Sequence, residues 1–229
     1  MTVAEDLWYH YGRRRAVTDR AVPEAFRWTW SQRGGPGAEV LGDLEGRRVG
    51  DLGAGAGRDA AYLASRYPVA RVDAVDGSAA QHAMAGDLYG DLAPRLRLVH
   101  ADAVAHLHGS VGEYDVLYSV FGAVDFTDPY ELLPAACAAL KPGGRLVFAT
   151  LAHYLGGAPA RDEVGPAHVS ARRPDGEAAT MARWVLREEV WAELLGEAGL
   201  TGVGCEVLPG SGEGVRDADT LLVTGFRGE

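Results

Sequence analysis

The 229-residue chain reads as an α/β protein built on a mostly parallel sheet with helices on both faces. Three observations lead there. Between Val49 and Leu151, apolar runs of strand length alternate with amphipathic stretches of helical period, the rhythm of strands joined by crossover helices. Helix-start signals fall between the runs, at Ser78 with Gln81 and at Asp128-Pro129 with Glu131, where a side-chain oxygen can take up free amides of a first turn. A chain of this length, 47% hydrophobic and 24% charged, can also bury a substantial core without metal or disulfide support.

The opening TVAEDLWYHYGRRR places Thr2 and Glu5 at capping-box spacing and Leu7, Trp8 and Tyr11 on one helical face. AVPEAFRWTWSQRGGPG follows, with Phe26, Trp28 and Trp30 alternating before a glycine-rich break. Residues 1–37 are therefore expected to be an attachment to the main fold. Core packing is open to any one of these aromatics, but as a group they favour a lid, since so many need a surface to cover.

The core spans residues 38–151. VGDLGAG is the first strand with its turn, RDAAYLASRY the helix after it, and VARVDAVD the second strand. RLRLVH and YDVLYSV are strands three and four. ELLPAACAAL is a helix stopped by Lys141-Pro142-Gly143-Gly144, and RLVFATL is strand five. Residues 152–182 are rich in Gly, Pro, Arg and Asp without a clear period. An irregular insertion of that length is uncommon in a compact domain and usually functional, so it is assigned to the substrate side. Residues 183–229 supply a closing helix, REEVWAELLGEAGL, and a strand pair, VGCEVL and DTLLVTGF. The whole chain, 1–229, is expected to be one domain.

Composition excludes several functions. Cys137 and Cys205 are the two cysteines, too few for a disulfide framework, which points to a reducing, cytoplasmic setting. No apolar run follows Arg13–Arg15, so no signal peptide is expected, and none reaches the ~18 residues of a membrane span. A net charge of -10 disfavours nucleic acid as a partner. His106 and His108 lack a third ligand, so no metal site is expected. The oligomeric state stays open, a homodimer included.

The chemistry concentrates in VGDLGAGAGRDAAYLA, residues 49–64. Glycines after a strand let the backbone approach a ligand, and the helix that follows offers free amides; a tight connection is the plainer alternative. Asp76 ends the second strand, nineteen positions beyond Gly57, where a carboxylate can accept from both ribose hydroxyls of a nucleoside. It could otherwise cap the helix beside Ser78. Turn and acid together would serve a nicotinamide dinucleotide as well.

The rest of the chain separates these. DLGAGAG resembles the first motif of the class I S-adenosylmethionine-dependent methyltransferases, VDAVDGS the second, HADAV (100–104) the third and EYDVLYSVFGAVDF (113–126) the fourth. LKPGGRLVFAT (140–150) is similar to the turn and strand that follow. Ala54 stands where many members carry Cys, a harmless departure in a site made by backbone. The resemblance implies a Rossmann-like sheet of seven strands in the order 3-2-1-4-5-7-6, with an antiparallel final strand. It implies S-adenosylmethionine as cofactor and methyl transfer to O, N or C of a small-molecule acceptor, plausible in secondary metabolism. Gly53, Ala54 and Gly55 would pack under the methionine part, with Asp51 near its ammonium group. Asp76 with Gly77 would hold the ribose, Asp102 and Ala103 the adenine, and Ser119 and Val120 would flank the methionyl side. Asp102 could instead be a helix cap. Three residues past strands four and five, Asp125, His153 and Tyr154, are placed to reach an acceptor, and His153 is the first candidate for a general base.

Overall fold

Buried apolar runs of this kind pair side by side, because a strand covered on both faces exposes its amides only to neighbours. In the computed structural model, which describes residues 6–13, 20–212 and 217–229, five runs form β1 (Arg48–Leu52), β2 (Arg71–Asp76), β3 (Leu96–His100), β4 (Tyr114–Val120) and β5 (Leu140–Leu151). All five are parallel. A hairpin, β6 (Ala167–Arg172) and β7 (Ala178–Arg183), pairs only with itself. β8 (Leu200–Leu208) and β9 (Thr220–Arg227) complete the main sheet, β9 antiparallel to both β5 and β8. The order is β3-β2-β1-β4-β5-β9-β8; with the hairpin set aside, this is the expected 3-2-1-4-5-7-6.

Six helices connect these strands among the described residues: α1 (Arg58–Arg66), α2 (Ala79–Tyr89), α3 (Ala103–His108), α4 (Ala123–Phe126), α5 (Pro129–Ala139) and α6 (Glu188–Glu197). Alternate strand residues face opposite layers. Leu117, Leu146 and Phe148 pack with Leu107, Leu133 and Trp191 of α3, α5 and α6. Val116, Tyr118 and Val147 face the other way, with Ala61 and Leu63 of α1. The start of α5 is capped as expected, Asp128 accepting from the Tyr130 amide at 2.9 Å with Pro129 in the first turn.

The N-terminal attachment divides into two parts. Phe26 and Trp28 are wholly buried in the α1 layer, edge-on to Tyr118 at 5.6 and 6.3 Å, and Trp28 Nε1 donates to Gly37 O. These two are core rather than lid, because the segment 20–44 fills sheet surface that α1 leaves open. Residues 7–12 form successive turns, not the expected helix, with Tyr9 N–H on Asp6 O and Tyr11 N–H on Trp8 O. The Thr2–Glu5 capping box lies outside the described residues.

The insertion is also more regular than its sequence. Residues 167–183 form the β6–β7 hairpin around a turn in which Gly176 takes φ 92°. The Lys141–Gly144 segment bulges from β5, since Tyr114 pairs with Leu140 while Val116 pairs with Arg145.

Candidate functional site

Strand order reverses between β1 and β4, and ligands of open α/β sheets bind in the crevice at such a point, beyond the strands' C-terminal ends. Here the turns after β1 and β4 touch backbone to backbone. A Cβ on Gly53 would stand 2.2 Å from Ala123 N, and one on Gly122 would stand 2.5 Å from Leu52 O. Gly53 also takes φ 79°, which side chains disfavour. Its amide and that of Ala54 donate to Val75 O at 2.9 and 3.0 Å, tying the turn to β2.

Asp76 meets this turn from the side. Its Oδ2 accepts from Gly55 N–H at 2.7 Å and its Oδ1 from Ser78 N–H at 2.8 Å. Burial pushes its pKa up against the pull of these two amides, and the charge of Asp6 adds to the rise. The helix cap itself is Ser78, whose Oγ accepts from Gln81 N–H. Gln81 does not close the reciprocal half of that capping box; its Nε2 donates to Trp8 O and Tyr11 O at 2.8 and 3.0 Å. Gln81 Oε1 is buried without a hydrogen-bond partner, 3.6 Å from where a Cβ on Gly55 would stand. Gly77 separates the two functional residues. His100, paired in register with Asp76, stacks on His82 at 5.4 Å.

The other nucleoside candidates are more occupied with structure. Asp51 is buried and accepts from Tyr118 OH at 2.9 Å; burial, then Asp59, drives its pKa well up. Asp102 is exposed and caps α3 through Ala105 N–H at 3.0 Å, with Ala103 buried behind it. Ser119 is wholly buried, donating to Leu52 O at 2.7 Å and accepting from Val124 N–H at 3.4 Å. It stitches β4 to β1, while Val120 remains partly buried at the strand end.

The three expected acceptor-side residues are engaged in different ways. His153 has both ring nitrogens on the backbone: Nδ1 lies 3.1 Å from Tyr154 O, and Nε2 accepts from Asp219 N–H at 3.2 Å. Both ring nitrogens are thus engaged by the loops around His153, and Nε2 also lies 3.8 Å from Asp219 Oδ2. Asp125 is wholly buried against Arg183, which donates Nη2 and Nε to the one oxygen Oδ2 at 2.6 and 3.1 Å. Burial raises its pKa and the guanidinium opposes the rise; a carboxylate so paired is a tie between α4 and β7. Tyr154 keeps a buried hydroxyl without a hydrogen-bond partner.

Several contacts of the site escape the sequence reading. Asp6 is almost wholly buried on the N-terminus of α2, accepting from Ser78 Oγ at 2.7 Å and Ala80 N–H at 3.1 Å. Trp8 stands edge-on to Phe126 at 4.6 Å, and His10 Nε2 meets Arg173 O of the hairpin turn at 3.0 Å. The strap 6–12 thus bridges α2 and the hairpin. Phe121, at φ 49°, is a strained residue beside Trp30. Trp8 and Trp30 were legible as aromatics and Gly122 as a glycine just past the fourth strand; their partners, like those of Asp6 and His10 up to 163 residues apart, were not.

Sheet order, glycine turn and strand-end acid define a Rossmann-like fold, the fold class of the S-adenosylmethionine-dependent methyltransferases it aligns with. Residues 49–144 match the family described as a methyltransferase domain. Over 107 residues it is 37% identical to a trans-aconitate 2-methyltransferase of Deinococcus radiodurans, covering 47% of this chain and 39% of that protein. It is 32% identical over 129 residues to one of Variovorax paradoxus, covering 55% and 48%. The matches span less than half the length of these curated relatives. Among solved structures, a 1,6-didemethyltoxoflavin-N1-methyltransferase of Burkholderia thailandensis aligns with a TM-score of 0.59 at 24% identity, over 97% of this chain and 84% of that one. A Mesorhizobium loti S-adenosylmethionine-dependent methyltransferase aligns at 0.60 and 21% identity, over 82% and 94%. These likenesses bear on the fold. No helix among the described residues is long and apolar enough to cross a membrane.

Proposed function

We propose that the chain transfers a methyl group from S-adenosylmethionine to a small-molecule acceptor bound beneath the strap and the hairpin. The observation that carries this is Asp76, fixed by Gly55 and Ser78 amides at the edge of the glycine turn after β1. The fit to a cationic nucleoside is electrostatic as well as steric. After burial, the charges of Asp59 and Asp76 push up the pKa of Asp51 and that of Asp6 pushes up Asp76, and a positive ligand relieves that repulsion. Gln81 Oε1, buried and unpaired, is a further acceptor for a ligand N–H or O–H.

When bound, S-adenosylmethionine supplies a methyl already activated on sulfur, whose transfer forms the acceptor–carbon bond and leaves the S–CH3 electron pair on sulfur. The chain's part is alignment and exclusion of water. The Gly53–Gly122 contact fixes the floor of the crevice, Trp8 and Phe126 cover it, and the strap closes it from the side of α2. Asp125 is held by Arg183 and His153 by the backbone, so alignment of the acceptor rather than a dedicated base carries this reading.

Isothermal calorimetry with S-adenosylmethionine, its demethylated product and NAD checks the reading. The first two should bind and NAD should not. NAD binding with no response to the sulfonium ligand would overturn it in favour of an oxidoreductase.

A further inference from the structure

The end of the sheet away from the crevice concentrates positive charge that the methyl-donor reading does not use. Four of the five parallel strands carry a cation in their first two residues: Arg48 in β1, Arg71 in β2, Arg97 in β3 and Lys141 in β5. Paired strands lie about 4.8 Å apart, and the register sets Arg48 beside Arg71 and Arg97 beside Asp73. Arg48, Arg71 and Arg97 therefore close on one wholly buried carboxylate, that of Asp73. Ion pairs add Glu113 to Arg48, and Arg47 and Lys141 to Asp115, which also accepts from the Arg48 amide at 2.9 Å. The network joined in this way sets five cations against three carboxylates. In a chain of net charge -10, a local excess of two positive charges is a specific feature.

Asp73 cannot satisfy three guanidinium groups. Its Oδ2 accepts from Arg48 Nε and Nη2 at 3.2 and 3.0 Å, from Tyr114 OH at 2.8 Å and from Arg71 Nη2 at 3.4 Å. Its Oδ1 meets Arg71 Nε at 2.8 Å and Arg97 Nε at 3.4 Å as ion pairs, and takes no hydrogen bond. Two guanidinium groups thus approach the same atom from adjacent strands with most of their donors unspent. Arg71 keeps Nη1, and Arg97 makes no hydrogen bond among the described residues. Their side chains are 33% and 44% exposed, so both reach solvent.

We propose that Arg71 and Arg97 form a binding site for a phosphate dianion, free or as the monoester of a small metabolite, at the N-terminal ends of β2 and β3. The site is separate from the crevice and does not depend on the methyltransferase reading. The charge of a dianion equals the excess of the network. Tetrahedral phosphate oxygens can accept from two guanidinium planes at once, in charge-assisted hydrogen bonds stronger than neutral ones. Asp73, itself held by Arg48 and Tyr114, serves as a positioning residue: it draws both Nε edges inward and leaves the Nη ends outward. Two long side chains are thus in place before the ligand arrives, which lowers the entropic cost of binding.

The test uses the full chain, with and without S-adenosylhomocysteine, in buffers brought to equal ionic strength with chloride. Inorganic phosphate and glycerol phosphate are titrated calorimetrically at about pH 8, where both are mainly dianions. At least one should bind saturably, one per chain, whether or not S-adenosylhomocysteine is present. Arg97→Gln and Arg71→Gln should each weaken that binding by roughly ten-fold or more. Thermal midpoints report that the variants fold, and Arg97, whose partner is Asp73 alone among the described residues, is the milder change. Arg172→Gln, on the hairpin, removes the same charge elsewhere and should leave binding unchanged. A monoester that binds at least as tightly as phosphate assigns the site to a phosphorylated metabolite, and binding of phosphate alone assigns it to the free ion. No saturable heat from either, displacement by S-adenosylhomocysteine, undiminished binding in the Arg97 and Arg71 variants, or an equal loss in Arg172→Gln overturns the site.

Discussion

At Asp76 both carboxylate oxygens already hold a backbone amide, at 2.7 and 2.8 Å, and each keeps a further lone pair. A ribose diol can therefore bind without displacing anything, and the amides that fix the acid also orient it. Asp51, one strand away, shows the contrast. It is spent on Tyr118 and acts on a ligand through charge alone. Asp76→Ala should accordingly weaken S-adenosylmethionine by roughly 1.5–3 kcal/mol, the range for losing hydrogen bonds to a charged acceptor, or about one to two decades in Kd. The demethylated product, which has lost the sulfonium charge but kept the ribose, should weaken by a similar factor, since the diol is common to both. A titration giving unchanged affinity for both ligands in a variant of normal thermal midpoint would reduce Asp76 to a turn-former.

The strap and the hairpin are the elements that turn a binding fold into an enclosed site, and they are also the elements least readable in advance. Strands and helices of the core announce themselves locally: YDVLYSV becomes β4 residue for residue, and Asp128-Pro129 starts α5 as its capping chemistry requires. In the hairpin, AHVSAR and AATMAR alternate only between small and polar residues, so their burial pattern is shallow and no apolar period marks them. The readable signal was the Pro174-Asp175-Gly176 turn between them. Phe26 and Trp28 were visible as an aromatic pair, but the surface they cover is fixed by Tyr118, about ninety residues away, which no local pattern encodes. The same distances separate two truncations. Removing residues 1–12 takes away Asp6, Trp8 and the Gln81 contacts while sparing the core. That chain should fold, with a modest loss in thermal midpoint and a clear loss in cofactor affinity. Removing residues 1–33 also deletes Phe26 and Trp28, each costing roughly 3–5 kcal/mol against a total stability of about 5–15 kcal/mol, so it should fail to fold. A well-folded 34–229 fragment by circular dichroism would contradict the core assignment, and full affinity in the shorter truncation would contradict the strap.

Across the whole molecule the sheet has two working ends. The C-terminal ends of the strands carry the glycine turns and the acids, where buried charge and a strained Phe121 oppose stability for the sake of a ligand. The N-terminal ends carry a network that does the opposite. Asp73, wholly buried, meets Arg48 at 3.0 Å, Arg71 at 2.8 Å and Arg97 at 3.4 Å, and accepts from Tyr114 OH at 2.8 Å. Tyr114 in turn takes a hydrogen bond of 2.7 Å from His106, whose burial holds it neutral by lowering its pKa. Burial alone would raise the Asp73 pKa, but the Tyr114 and Arg48 hydrogen bonds and the charges of Arg97 and Arg71 outweigh it and bring it down. A carboxylate with a lowered native pKa contributes stability that is present above its unfolded value of about 3.9 and lost as pH falls through the native one. Asp73→Asn should therefore cost about 3 kcal/mol near neutrality, at the low end for breaking a buried ion pair because the three arginines are partly exposed. Its stability should then fall less steeply than that of the unaltered chain on acidification below about pH 4. Because the network lies at the opposite end of the strands from Asp76, the affinity for S-adenosylmethionine under native conditions should not change. Thermal unfolding across a pH series, paired with calorimetry at pH 7, separates the two ends. Equal acid sensitivity in both chains would remove Asp73 as the source of the pH dependence, and a matching drop in cofactor affinity would show that the two ends are coupled.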